Sequence, residues 1–72
     1  MIYKRRESLY DCIEAKYRIS IIVNNVIKWA QAGDFLCYPL DKDGKRIERP
    51  FICQPKEFFQ TFVLEAEANG NG

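Results

Sequence analysis

The 72-residue chain has 47% hydrophobic and 14% aromatic residues, which is enough for one small folded domain and too short for two. This composition excludes an intrinsically disordered protein, because disordered chains are poor in apolar residues and carry charges of mostly one sign. Eleven Lys and Arg balance ten Asp and Glu, so the formal net charge of +1 indicates no class of partner. We predict a single domain over residues 7–68, with a basic arm over residues 1–6 and a flexible tail over residues 69–72.

The polar residues argue against several kinds of chemistry. The three cysteines have no CxxC spacing and the chain has no histidine, so we expect neither a metal site nor a disulfide framework. No nucleophile stands beside a recognisable base, and we expect a protein that is not an enzyme and has no cofactor. The longest apolar stretch, from Ile19 to Ile27, falls far short of the roughly 20 residues of a membrane span, so we expect a cytoplasmic protein that binds no membrane.

The first predicted element is a short amphipathic helix over residues 7–17. Leu9, Cys12, Ile13 and Tyr17 stand at positions i, i+3, i+4 and i+8, which is the spacing of one apolar helix face. Acidic residues in the first turn of this segment match the positive end of a helix dipole.

Residues 18–33 admit two interpretations. As a helix capped by Ser20, the segment has an apolar face that includes Val26 and Trp29, and Gly33 follows the helix end in a left-handed position. As a β-hairpin, Tyr17 to Val23 and Val26 to Ala30 are paired strands joined by an Asn24-Asn25 turn, which the many β-branched residues favour. The run from Trp29 to Gly33 favours the helix, and we expect Trp29 and the five phenylalanines to pack in the core.

The second half of the chain predicts a hairpin and a closing helix. Residues 35–40 form a strand interrupted by Pro39, residues 41–44 form a charged turn ending in glycine, and residues 46–53 form the returning strand. Pro55 then begins a helix in which apolar residues recur at helical spacing. These residues are Phe58, Phe59, Phe62, Val63 and Ala66.

The predicted order of elements is helix, turn, helix, hairpin, helix. Over residues 8–63 it resembles the order found in a known family. The motifs that carry the resemblance are Ile19-Ser20, Val26, Trp29, Gly33-Asp34-Phe35, Pro39, Asp43-Gly44-Lys45-Arg46 and Glu57-Phe58. They resemble the excisionase and AlpA-type proteins, small phage winged helix-turn-helix regulators related to MerR DNA-binding domains. The resemblance implies an α+β fold with a helix-turn-helix, a β-hairpin wing and a C-terminal helix. The alternative fold is a helix plus antiparallel β-hairpins.

The function that this resemblance implies is sequence-specific binding of double-stranded DNA, as an excisionase or transcriptional regulator of a phage or mobile element. A recognition helix fits the major groove, where an asparagine amide can pair with an adenine edge and basic side chains meet phosphates. A basic wing and a basic arm add contacts to the adjacent groove or backbone. The expected DNA-binding residues are Arg18, Ser20, Asn24, Asn25 and Lys28 in the helix, Lys42, Lys45 and Arg46 in the wing, and Lys4, Arg5 and Arg6 in the arm. Because so small a protein of nearly neutral charge binds DNA weakly, copies on adjacent sites are expected to contact one another.

A second function belongs to a different class. If residues 17–30 form the hairpin, the protein is expected to be a small phage-encoded inhibitor that binds a host protein. Its binding surface is then the exposed side of the sheet or the acidic helices, and no nucleic acid is involved.

Overall fold

The fold is known from a computed structural model, which describes residues 1–65. Residues 1–65 form seven strands and one helix, so the predicted winged helix-turn-helix is wrong. In chain order these elements are β1 (Ile2–Arg5), β2 (Ser8–Glu14), β3 (Ile19–Val23), β4 (Val26–Ala30), β5 (Phe35–Pro39), β6 (Phe51–Cys53), α1 (Pro55–Thr61) and β7 (Val63–Leu64). None of the helices within this range is long and apolar enough to cross a membrane.

Five strands form one antiparallel sheet in the order β6-β5-β2-β1-β7. The segment predicted as a helix over residues 7–17 is instead the central strand β2, which pairs with β1 on one side and β5 on the other. Its side chains alternate, since Tyr10 and Cys12 are buried toward α1 whereas Leu9 and Ile13 lie exposed on the opposite face. The expected basic arm is likewise a strand, because Ile2–Arg5 is β1.

Residues 18–33, for which the sequence allowed a helix or a hairpin, contain the hairpin. The predicted recognition helix is therefore wrong. β3 and β4 form a separate two-stranded sheet in which Val23 pairs with Val26. Asn24 and Asn25 make the two-residue turn with φ of 53° and 64°, the left-handed values that a type I′ turn requires at both positions. Asparagine tolerates this conformation better than other residues with a side chain, and β-branched strands flank it. The local physics therefore favours a hairpin over a helix.

The two strands predicted as a wing do pair antiparallel, but as part of the five-stranded sheet and not as the wing of a winged helix. β5 pairs with β6, and the connection closes through a turn in which the Asp41 carboxylate accepts the backbone N–H groups of Asp43 and Lys45. Gly44 has a φ of +81° there, which suits a residue without a side chain. The returning strand is shorter than predicted, because it covers Phe51–Cys53 and not residues 46–53.

The closing helix begins at Pro55 as predicted and ends at Thr61. Phe62 already has an extended backbone, so Val63 belongs to a strand and not to the helix, while Ala66 and the expected tail over residues 69–72 lie outside the described residues. Phe58 is fully buried between α1 and the sheet, and its ring stacks on Phe35 and on Phe62. This aromatic cluster closes one face of the sheet, whereas the other face receives the base of the β3–β4 hairpin.

Candidate functional site

The β3–β4 hairpin is attached to the rest of the protein mainly at its base. Ala30 is fully buried there beside Ala15 and Leu36, and Ile21 packs against this cluster. Apart from the contacts between β3 and β4 themselves, no other element within residues 1–65 packs extensively against either strand. The end of the hairpin that carries the Asn24-Asn25 turn is therefore surrounded by solvent on both sides.

One side of this hairpin, here called the outer face, consists of Ser20, Ile22, Ile27 and Trp29. Ile22 is 69% exposed, Ile27 is 62% exposed and Trp29 is 51% exposed. The opposite side also carries apolar residues toward the turn, since Val26 is 53% exposed. A cluster of large exposed apolar side chains of this kind is uncommon in a monomer and marks a site of interaction.

Arg18 extends this surface at its base. Its guanidinium carbon lies 4.1 Å from the centroid of the Trp29 ring, a cation–π contact that holds the indole in place without burying it. The expectation that Trp29 packs in the core is therefore wrong, and Phe59, which is 69% exposed, departs from the same expectation. Residues 16–33 contain three cations, Lys16, Arg18 and Lys28, and no acidic residue. The apolar outer face consequently lies in a positively charged part of the chain.

The residues expected to read DNA from a helix lie on this hairpin in a different arrangement. Asn24 and Asn25 are exposed at the turn. The left-handed backbone of the turn explains why asparagine occurs at both positions. Ser20 pairs across the strands with Trp29, and Lys28 pairs with Ile21. The five residues Arg18, Ser20, Asn24, Asn25 and Lys28 thus share one β-ribbon, but their side chains alternate between its two faces and do not converge on one reading surface.

Of the three basic residues predicted in the wing, Arg46 is engaged in an ion pair within the protein. Arg46 donates from Nε to the Asp11 carboxylate at 2.8 Å, and its guanidinium lies 4.2 Å from the Tyr38 ring centroid. Burial opposes ionisation of Asp11, but hydrogen bonds from Arg46 and from the Met1 amino group outweigh it and hold the pKa of Asp11 below its usual range. Lys42 and Lys45 are exposed in the turn that precedes Arg46.

The three basic residues of the first strand and its turn are separated from one another. Lys4 and Arg5 point to opposite faces of the sheet, and Arg6 occupies the turn with a φ of 58°. The Arg5 guanidinium lies within 4.9 to 5.3 Å of the ring centroids of Tyr10, Phe51 and Phe62, and its Nη2 donates to the Tyr10 hydroxyl at 2.9 Å. Arg5 is therefore a structural residue that covers the aromatic cluster.

An open cleft lies beside Arg5. Its volume is about 660 Å³, and the residues that line it are Arg5, Arg6, Ser8, Tyr10, Glu57 and Thr61. Cations and a carboxylate face the same space, so the cleft has no single charge that would select a ligand.

The three thiols are buried and free. Cys12 and Cys37 are cross-strand neighbours, and their mutual hydrogen bond together with burial raises the pKa of Cys37. Burial and the nearby Glu57 carboxylate raise the pKa of Cys53. The hydrogen bond with Cys37 lowers the pKa of Cys12. All three side chains are buried, and a buried thiol without access to reagents is inert, so these cysteines act as small core residues. Within residues 1–65, no group of three cysteine, aspartate or glutamate side chains is placed to hold a metal ion.

In comparisons with known proteins, no family model, curated protein or solved structure matches this chain. The most distinctive surface on the described residues is then the outer face, whose Ile22, Ile27 and Trp29 the favoured sequence interpretation placed on the apolar face of a helix. The available signal was the Asn24-Asn25 pair between two β-branched runs, since a hairpin with apolar residues on both of its faces cannot bury both faces by itself.

Proposed function

We propose that this protein is a small protein-binding module, without enzymatic activity of its own, that engages another protein through the outer face of its hairpin. The observation that carries the proposal is the exposure of Ile22, Ile27 and Trp29 side by side on an element whose far end has no cover within the described residues. Hot spots of protein interfaces are enriched in Trp and Arg, and they lie where the surrounding contacts exclude water. This corresponds to the second function named from the sequence, the binding of a protein partner.

The chemistry of the surface also specifies the partner. Arg18 lies beside Trp29 on the outer face, Lys28 lies on the opposite face of the same ribbon, and no carboxylate occurs between residues 16 and 33. A complementary partner presents an apolar groove with acidic residues at its rim, because such charges attract the approaching hairpin and set its orientation.

A two-stranded ribbon also fits the major groove of DNA, so shape alone does not decide between a protein and a nucleic acid. Charge favours the protein. Between Ile19 and Ala30 the ribbon carries one cation, Lys28, and seven aliphatic or aromatic residues larger than alanine, whereas groove binders depend on several Lys and Arg contacts to phosphate.

The test is affinity capture from the organism that encodes the protein, with matched surface variants. Ile22→Lys and Ile27→Lys place a charge on the outer face, and Phe59→Lys makes the same kind of change at a residue of α1 that is as exposed as Ile22. We expect a protein that binds the wild type and the Phe59→Lys variant and is lost from both hairpin variants. Loss from all three variants, or from none of them, would contradict the proposal.

DNA binding is tested in parallel by a gel-shift titration at two salt concentrations. Binding to a duplex at low salt that weakens as salt rises, and that Lys28→Ala reduces, would favour the nucleic-acid function over the protein-binding one. We expect no such shift.

A further inference from the structure

The two strands of the hairpin have open edges, and the groups at each edge follow from the turn. A two-residue turn makes Val23 and Val26 a hydrogen-bonded pair, and such pairs alternate along an antiparallel ladder. The backbone N–H and C=O groups of Ser20 and Ile22 therefore point away from β4, toward the open edge of β3. Among the described residues no other strand pairs with this edge.

The open edge of β3 has none of the features that usually prevent pairing between molecules. Its five residues, Ile19–Val23, include no charge, no proline and no glycine. The edge strands of the larger sheet are protected by their shortness, since β6 has three residues and β7 has two. β3 is thus the longest unprotected edge among residues 1–65.

We propose that a second copy of this chain occupies the β3 edge, so that two hairpins form one continuous four-stranded antiparallel sheet. The twofold axis passes beside Ile21. In this register Ser20 of one copy exchanges two backbone hydrogen bonds with Ile22 of the other. Ile19 of one copy then lies opposite Val23 of the other, and the two Ile21 residues lie opposite each other. All facing side chains are uncharged, which a self-complementary interface requires.

The open edge of β4 does not pair in the same way, so the proposed assembly stops at two copies. The outward groups of β4 belong to Ile27 and Trp29, and the symmetric register that pairs them sets Lys28 directly opposite Lys28 of the other copy. Like charges facing each other across strands are destabilising, so β4 remains an outer edge. A closed twofold dimer forms and not a fibre.

This inference goes beyond the proposed function, because a second copy occupies the β3 edge of the hairpin and leaves the outer face available for a different protein. Pairing of two short edges buries less than the roughly 800 Å² per partner of a standard interface, so we expect a dissociation constant in the micromolar range. In the dimer the two outer faces join into one apolar strip, with Trp29 and Ser20 of one copy beside Ile22 and Ile27 of the other.

The experiment is sedimentation equilibrium of the full chain from 1 to 500 μM with a charge-swap pair. Ser20→Lys/Ile22→Lys and Ser20→Glu/Ile22→Glu each set like charges opposite one another in the dimer, so each variant alone should dimerise at least tenfold more weakly than the wild type. An equimolar mixture of the two should restore a heterodimer, because every facing pair is then of opposite charge. Ile27→Lys, which changes the outer face but not the β3 edge, should leave the dimer intact.

Register is checked by cysteine trapping. The Ile21→Cys variant should form a disulfide-linked dimer under mild oxidation, because facing residues of a non-hydrogen-bonded pair lie about 4.5 Å apart between Cα atoms, within the range of a disulfide. Ser20→Cys should not, because in this register residue 20 faces residue 22.

The outcomes separate the two proposals. A wild type that stays monomeric at 500 μM, or a dimer that the charge-swap variants do not weaken, overturns the pairing of β3 edges. If a partner protein is nevertheless captured through Ile22 and Ile27 as described above, the proposed function stands without the dimer. A dimer that Ile27→Lys abolishes as thoroughly as the β3 variants also overturns edge pairing, because packing of the outer faces would then hold the copies together.

Discussion

The rings of Phe35 and Phe58 lie parallel, 3° apart in orientation with their centroids separated by 3.8 Å. This stack joins β5 to α1, and Phe58 also contacts Tyr3 edge-on with a centroid distance of 4.8 Å. A single helical side chain therefore connects the only described helix to strands at both sides of the central strand. Stability of the domain depends on this contact.

We expect Phe58→Ala to destabilise the folded state by about 3 to 5 kcal/mol, the usual cost of removing a buried phenyl ring and leaving a cavity. Phe59→Ala, at an exposed position of the same helix, is the matched control and should cost about 1 kcal/mol or less. Urea denaturation monitored by circular dichroism measures both. Complete loss of the cooperative transition in Phe58→Ala fits the prediction, since the domain is small, whereas equal stabilities of the two variants would contradict it.

The turn of the hairpin makes a second prediction. Asn25→Ala places an alanine at a φ of 64°, which costs about 1 kcal/mol because the left-handed region brings Cβ close to the backbone. Asn25→Gly removes that contact and should leave the hairpin at least as stable as in the wild type. Hydrogen exchange of the Val26 amide reports on the hairpin itself. It should be faster in the alanine variant and unchanged or slower in the glycine variant, and a reversed order would show that the turn conformation is different.

The buried thiols predict a pH dependence in the alkaline range. The pKa of Cys53 is raised in the folded state above the ordinary value of 9.0, chiefly by burial, so the unfolded chain releases this proton more easily than the folded one. The free energy of unfolding is then unaffected by this group below about pH 8 and falls as the pH rises through 9 and above. A Cys53→Ala variant lacks this contribution and should show a shallower fall between pH 8 and 10. Equal slopes in the two proteins would rule out a protonated Cys53 as the cause.

Thiol reactivity offers an independent measurement of the same burial. Ellman's reagent at pH 8 should modify the native protein slowly and all three cysteines rapidly after denaturation in guanidinium, since Cys12, Cys37 and Cys53 are buried. Rapid labelling of the native protein would mean that the sheet opens frequently beneath α1.

The contact between Asp11 and Arg46 predicts that the stability of the folded state falls at acidic pH. The folded-state pKa of Asp11 is lowered, so its ionised form contributes stability that is present above the ordinary value of 3.8 and is lost as the pH falls through the lower folded value. A double-mutant cycle with Asp11→Asn and Arg46→Gln should give a coupling of about 0.5 kcal/mol at pH 7, because the pair is partly exposed and screened. Coupling that persists unchanged at pH 2 would exclude an ion pair as its origin.

Two elements were predictable from the sequence because their causes are local. The helix at Pro55 begins with a residue whose fixed φ suits the first helical position, and its phenylalanines recur at helical spacing. The turn at Gly44 is held by the side chain of Asp41, three residues earlier. Both signals lie within a few residues of the structure that they specify.

The first predicted helix was wrong because its apolar pattern suits two structures. Leu9 and Ile13 are four residues apart, which agrees with a helix, and Tyr10 and Cys12 are two apart, which agrees with a strand. β1 and β5 supply backbone partners on both sides of this segment, and that pairing decides in favour of the strand. Gly33 has the left-handed φ of +96° that was expected of it, but it follows a strand and bonds to Ala15 instead of ending a helix.

By itself the sequence determined that a helix begins at Pro55, and that chain reversals occur at Gly44 and at the two asparagines if the latter segment is extended. The tertiary structure decided that β2 lies between β1 and β5 and that Ile22, Ile27 and Trp29 remain uncovered. The physical reason is that an apolar pattern shows which residues gain free energy by leaving water, whereas the surface that covers them comes from distant parts of the chain or from another molecule.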